Sequence, residues 1–133
     1  MLTTPGMSRE NTPQIDITVE TRYIEEQSEP DSDRYVFAYT ITISNPGKTG
    51  AKLLNRHWLI TDADNRVEEV RGEGVVGEQP HLDPGERYQY TSGAIIKTPV
   101  GTMQGEYEFV SDDGTSFLAP IDRFILSVPR VLH

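Results

Sequence analysis

Apolar side chains in this chain return at every second position, with no stretch that keeps the three-to-four-residue spacing of a helix. Ile15, Ile17, Val19 and Tyr23 share one parity, while Asp16, Thr18, Glu20 and Arg22 share the other, which is the pattern of a strand with one wet face. Across 34–44, Tyr35, Phe37, Tyr39, Ile41 and Ile43 repeat the alternation with the aromatic and β-branched residues that pack well on a pleated surface, predicting a central strand. A third run sets Leu54, Trp58 and Ile60 against Leu53, His57 and Leu59. Both of its faces are partly apolar, as in a strand inside a sheet or at a subunit contact. Further strands are expected at 67–70, where Glu68 and Glu69 mark an exposed edge, around Tyr88 and Tyr90, at 106–110 and at 117–127.

Turn chemistry separates these runs. Asn45 to Gly50 is turn-rich, Asp62 to Asn65 closes a hairpin, and Asp113-Gly114 closes another. Leu82 to Tyr88 reads L-x-P-G-x-x-Y, a phrase familiar from fibronectin type III sandwiches, in which Pro84 presets φ and Gly85 takes the position that needs freedom. Pro30 and five carboxylates make 25–33 a solvated loop. The fold class expected is all-β: a two-sheet antiparallel β-sandwich of seven to eight strands, immunoglobulin-like and fibronectin type III-like.

At 133 residues the chain is one domain, with a lead-in at 1–14, rich in proline and small polar residues, and the sandwich at 15–133. Met7 offers a second start position. Cysteine is absent, which removes thiolate metal sites and cysteine nucleophiles and fits a reducing compartment. No apolar run approaches the roughly 20 residues that span a bilayer, and the amino terminus lacks signal-peptide regions, so a cytoplasmic protein without membrane insertion is expected. A formal charge of -9 repels phosphate backbones, and nucleic acid is not an expected partner.

Four sets of residues invite a chemical reading. Gly72, Gly74 and Gly77 in GEGVVG, beside Arg71, resemble a phosphate loop. A dinucleotide fingerprint needs a helix behind it, however, and a P-loop needs Lys and Ser/Thr where Glu78 and Gln79 stand. The glycines therefore mark a bend, and its N–H groups with Arg71 form at most a modest anion site. His57 has no partner at metal-ligand or catalytic spacing and reads as structural or interfacial. Asp31, Asp33, Asp62 and Asp64 are the carboxylates through which a divalent cation would bind directly, although the calcium-loop pattern breaks at Arg34 and Tyr35. The nearly charge-free segment 91–105 holds Ile95, Ile96, Lys97, Val100 and Met103 among three glycines and Pro99. It reads partly as a loop whose apolar side chains either cap the core or form a partner surface. No metal site and no cofactor is assigned.

From Asn55 onward the chain resembles the ApaG family through WLITD, GEGVVG, PGERYQYTSG, GTMQG and the terminal VPRVLH, and the likeness covers nearly the whole of 15–133. The resemblance implies a fibronectin type III-like sandwich and a small bacterial cytoplasmic protein, often dimeric. It also implies an association with cobalt and magnesium resistance and with the genetic neighbourhood of diadenosine tetraphosphate hydrolysis. Similar domains in eukaryotic F-box proteins and a DNA-polymerase-interacting protein look like interaction modules. The function expected is a non-catalytic binding module acting through a protein partner or a second copy of the chain. Ile95, Ile96, Lys97, Val100 and Met103 are its contact surface, and its link to the cations is indirect, since a chain without a membrane segment gives an ion no path through a bilayer. Binding of a nucleotide or pyrophosphate through Arg71, Gly72, Gly74 and Gly77 is the alternative, and direct cation binding the third reading. An enzyme is not expected, because no acid–base pair, activated nucleophile or G-x-S-x-G elbow can be assembled.

Overall fold

The computed structural model describes residues 14–129; the expected lead-in, except Gln14, and the tail Val131, Leu132, His133 lie outside the described residues. Eight strands follow in order: β1 (Asp16–Tyr23), β2 (Tyr35–Ser44), β3 (Ala51–Asp62), β4 (Val67–Glu73), β5 (His81–Leu82), β6 (Arg87–Ile96), β7 (Val100–Ser111) and β8 (Ser116–Ser127). They form a three-stranded sheet, β1-β2-β6, and a five-stranded sheet, β4-β3-β7-β8, with β5 added to β3. Every pairing is antiparallel. The chain changes sheet between β2 and β3, between β5 and β6, and between β6 and β7, so the layers are stitched three times. This is the expected two-layer fibronectin type III-like sandwich.

The alternation explains the core. Phe37, Tyr39, Ile41 and Ile43 of the smaller sheet face Leu53, Trp58, Met103, Tyr107 and Phe109 of the larger one. Trp58 is the hub, edge-on to Tyr39, Tyr107 and Phe124 with ring centroids 5.5, 6.2 and 5.9 Å apart. The Tyr90 and Tyr107 hydroxyls bond each other between the sheets. Burial pushes the pKa of both far up, so the pair stays neutral.

Four sequence expectations change. The segment 91–105 contains no extended loop: β6 runs to Ile96, Lys97–Pro99 make the turn, and β7 starts at Val100. Its glycines give space rather than punctuation, because a Cβ on Gly101 would lie 2.7 Å from both Ile96 Cδ1 and the Thr61 carbonyl oxygen. Ile96 and Met103 are 6% and 0% exposed, so they belong to the core and not to a contact surface, whereas Ile95, Lys97 and Val100 are exposed. The short strand expected at 67–70 continues to Glu73. Leu53 and Trp58 both point inward despite opposite parity, because a bulge between Leu53 and Asn55 shifts the register against β7 by one residue. The stretch 25–33 is exposed nearly throughout, as expected of a solvated loop, and it holds two single-turn 3₁₀ helices, Glu25–Gln27 and Pro30–Ser32, with the Glu29–Arg34 backbone pair around the second.

Candidate functional site

The glycine triplet is a bend joining extended segments, and its three glycines answer three different needs. Gly72 faces Arg56 across the β3–β4 pair, and a Cβ there would sit 2.6 Å from the guanidinium carbon. Arg56 uses that space to donate from Nη1 to the carbonyls of Glu73 (3.0 Å) and Gly74 (2.9 Å), tying the bend to β3. Gly74 has φ +65°, and its Cβ would lie 2.3 Å from the Glu78 carbonyl oxygen. Gly77 (φ +83°) and Val76 (φ +42°) form the tip of a two-residue turn closed by reciprocal Val75–Glu78 bonds of 2.8 and 2.9 Å. The amides of Gly74, Val75 and Glu78 thus have internal acceptors, Leu54, Glu78 and Val75 respectively, and do not converge on an outside anion. The Arg71 guanidinium points to Glu69, 2.9 Å away. A Gly74→Val change would unfold the bend rather than report on a ligand.

Of these four residues, Arg71 and Gly72 line a depression of about 410 Å³ that also takes in Asn55, His57, Glu106, Glu108 and Leu118. Apart from Arg56 and Gly72, its side chains occupy the face of the larger sheet opposite Trp58 and Tyr107, as the two-residue period requires. Register builds it in cross-strand rows: Arg71, His57, Glu106 and Pro120 in one, Glu73, Asn55, Glu108 and Leu118 in the next. His57, expected to be partnerless, is held on both sides: Nε2 lies 2.6 Å from Glu69 Oε2 and Nδ1 lies 3.4 Å from Glu106 Oε2. Asn55 Nδ2 donates to Glu108 at 2.7 Å. The Glu69 carboxyl is held below its usual range, first by the His57 hydrogen bond and then by the Arg71 charge. Among the described residues, the ring nitrogens of His57 and His81 bond carboxylates and no hydroxyl.

Of the four expected cation ligands, Asp62 and Asp64 are already engaged. Asp62 accepts from Asp64 N (2.9 Å), Arg66 N (3.0 Å) and Arg66 Nε (2.6 Å), and Asp64 pairs with the same guanidinium at 3.1 Å. Asp31 and Asp33 are exposed at the 3₁₀ turns. Burial pushes the Asp62 carboxyl up, but bonds from Arg66 and Asp64 outweigh it and the net shift is down from 3.8. Asp113, bonded by Ser111 Oγ and Thr115 N, is also lowered. A carboxyl depressed in the fold stabilises it above its unfolded pKa, and that contribution is lost as pH falls through the folded value. The carboxyl contribution to the melting temperature is therefore expected to hold from pH 7 to about 5 and to fall below about pH 4. His81, its pKa raised by its Asp112 hydrogen bond, adds stability as pH drops toward its ordinary value. Asp62→Asn should lower the melting temperature at pH 7 and converge with the wild type near pH 2.5 in thermal melts; a gap constant with pH would contradict this assignment.

Arg56, Glu69 and Glu106 carry the site's geometry yet have no signature in the sequence, because their roles depend on strand register. With sheets, bend and depression in place, the molecule is a small fibronectin type III-like β-sandwich protein with a charged concavity on one outer face. The ApaG domain family model matches residues 25–111. Protein ApaG of Thiobacillus denitrificans is 62% identical over 120 residues, covering 90% of this chain and 94% of that one. Protein ApaG of Citrobacter koseri is 56% identical over 123 residues, covering 92% and 98%. A Bordetella pertussis protein known from its crystal structure superposes with a TM-score of 0.87 at 50% identity, over 90% of this chain and 97% of that one. The chain belongs to the ApaG family. Among the described residues no helix is long and apolar enough to cross a membrane.

Proposed function

We propose that the protein is a non-catalytic cytoplasmic binding module that docks a basic, apolar-flanked segment of another protein on the outer face of the five-stranded sheet. The observation that supports this reading is the composition of the depression and its margin. Glu69, Glu73, Glu106 and Glu108 stand against Arg71 and His57, and Leu118 lies alongside, 58% exposed. Lysine or arginine side chains of a partner complement the glutamates while an aliphatic neighbour covers Leu118, a division in which charge steers encounter and the apolar contact anchors it. His57 and Arg71 hold Glu69 in place beforehand, which lowers the ordering cost of binding. A second copy of the chain would bring like charges together here, so this face favours a different protein. Through such a partner the module would enter the cobalt and magnesium homeostasis that the family resemblance brings.

The test uses zero-length carbodiimide coupling, which joins a lysine to a carboxylate in direct contact, on protein mixed with native cytoplasm. Partner lysines are expected on Glu106 or Glu108, with the coupled protein lost from both Glu106→Lys/Glu108→Lys and Leu118→Asp and kept by Ile95→Asp. Coupling that survives both depression variants, or that is lost only from Ile95→Asp, would refute the docking face and favour the β6–β7 turn.

A further inference from the structure

A second constellation lies at the start of β3, beyond the docking face's charged rows. His81 and Asp83 flank Leu82, whose side chain is buried, so the strand period turns both outward. Asp112 reaches them from the β7–β8 turn. His81 Nε2 lies 2.8 Å from Asp112 Oδ1, and His81 Nδ1 lies 3.7 Å from Asp83 Oδ1. One donor atom from each of the three residues falls within 4.8 Å of the other two. The space they fill is kept open by the backbone: a Cβ on Gly50 would stand 2.5 Å from Asp112 Oδ2 and 3.1 Å from His81 Nε2. The Gly50 carbonyl also accepts the Asp112 N–H at 2.9 Å, which holds the β7–β8 turn against the start of β3.

We propose that His81, Asp83 and Asp112 form a binding site for a divalent first-row transition ion such as Zn²⁺ or Ni²⁺, with water completing the coordination. Two carboxylates and one imidazole match the charge of such an ion, and the imidazole selects it over Mg²⁺ and Ca²⁺, which prefer all-oxygen sites. The donors come from separate stretches of chain, so the fold and not local sequence brings them together. Glu86 adds a further negative charge near His81, while Lys52, the cross-strand partner of His81, opposes it. Binding exchanges the proton shared by His81 and Asp112 for the ion, replacing one hydrogen bond by coordinate bonds that join the end of β5 to the β7–β8 turn. The site uses none of the residues of the proposed docking face, so the two readings stand or fall separately.

The test is calorimetry of the full chain at pH 7.5 with ZnCl₂, NiCl₂ or MgCl₂ alone, together with NMR of the imidazole nitrogens. One Zn²⁺ or Ni²⁺ per chain is expected, bound at least tenfold more tightly than Mg²⁺, with the His81 ring signals shifting on saturation. Asp83→Asn, which leaves the His81–Asp112 hydrogen bond in place, should weaken the ion at least tenfold without changing the melting temperature in EDTA; His81→Gln, which removes that bond, should weaken the ion as much. Asp31→Asn should bind as wild type. No saturation below about 1 mM, a preference for Mg²⁺, or Zn²⁺ binding that survives both Asp83→Asn and His81→Gln would overturn the proposal.

Discussion

Gly105→Ala is expected to lower the urea midpoint sharply, although it adds a single methyl group to a strand. A Cβ at position 105 would lie 1.9 Å from the carbonyl oxygen of His57 and 3.1 Å from the Cα of Trp58. Both atoms are main chain in β3, the strand paired along nearly the whole of β7, so no side chain can swing away to relieve the contact. Relief requires β7 to separate from β3 beside Trp58, where the aromatic core converges. Overpacking a core usually costs about 1–3 kcal/mol, and with an unyielding backbone the cost should reach about 4 kcal/mol, a large share of the ~5–15 kcal/mol that holds a domain together. Gly77→Ala is the comparison. Its backbone is left-handed at φ +83°, but nothing lies within 4 Å of the new methyl, so it should cost only about 1 kcal/mol of backbone strain. Urea denaturation at pH 7 decides between them: equal midpoints for the two variants would mean that β7 is not packed against β3 as closely as described.

The same glycine shows why part of the fold was legible in the sequence and part was not. Turns governed by local chemistry read correctly: Gly85 and Gly114 adopt the positive φ that Asp-Pro-Gly and Asp-Gly announce, and Asp62 organises its hairpin from within four residues. Gly101 and Gly105 carry the same letter for a different reason, close approach of a distant strand, which no neighbouring residue reveals. Their presence beside Pro99 made the ends of two strands in different sheets look like a loop and put Ile96 and Met103 on a surface. The bulge at Leu53 and Asn55 is equally silent, since alternation gives a face only relative to an unbroken register. In the site, Arg71 and Gly72 were singled out and do line the depression. The meeting of His57 with Glu69 and Glu106 depends on how β4, β3 and β7 align, and Arg56 matters because Gly72 vacates the space opposite it. Side-chain types were readable along the chain; their cross-strand partners were not.

Asn45→Ala should cost about 3–5 kcal/mol, because this side chain is only 2% exposed and fastens three segments. Its Nδ2 donates to the carbonyls of Thr49 (3.0 Å) and Leu82 (2.9 Å), and its Oδ1 accepts the Gly47 N–H (2.9 Å). Its own backbone bonds Glu86 and Gly85 across the L-x-P-G turn. Alanine strands the buried Leu82 carbonyl and takes the partner from the part-buried Thr49 carbonyl and Gly47 amide, and buried groups left unbonded cost more than the bonds contribute. Asn45→Asp separates this hydrogen-bond account from a packing effect. A carboxylate at 45 still accepts from Gly47 but turns negative oxygen toward two carbonyls, so its folded pKa rises above the usual carboxylate range. A group with a raised folded pKa stabilises below its unfolded value and loses that contribution as pH climbs through the folded one. The melting temperature of Asn45→Asp should therefore rise relative to the wild type as pH falls from 7 to about 5, a range in which the lowered Asp62 and Asp113 carboxyls contribute equally to both. Equal pH profiles for Asn45→Asp and Asn45→Ala would show that volume, and not the pattern of donors, makes asparagine necessary at the start of the β2–β3 connection.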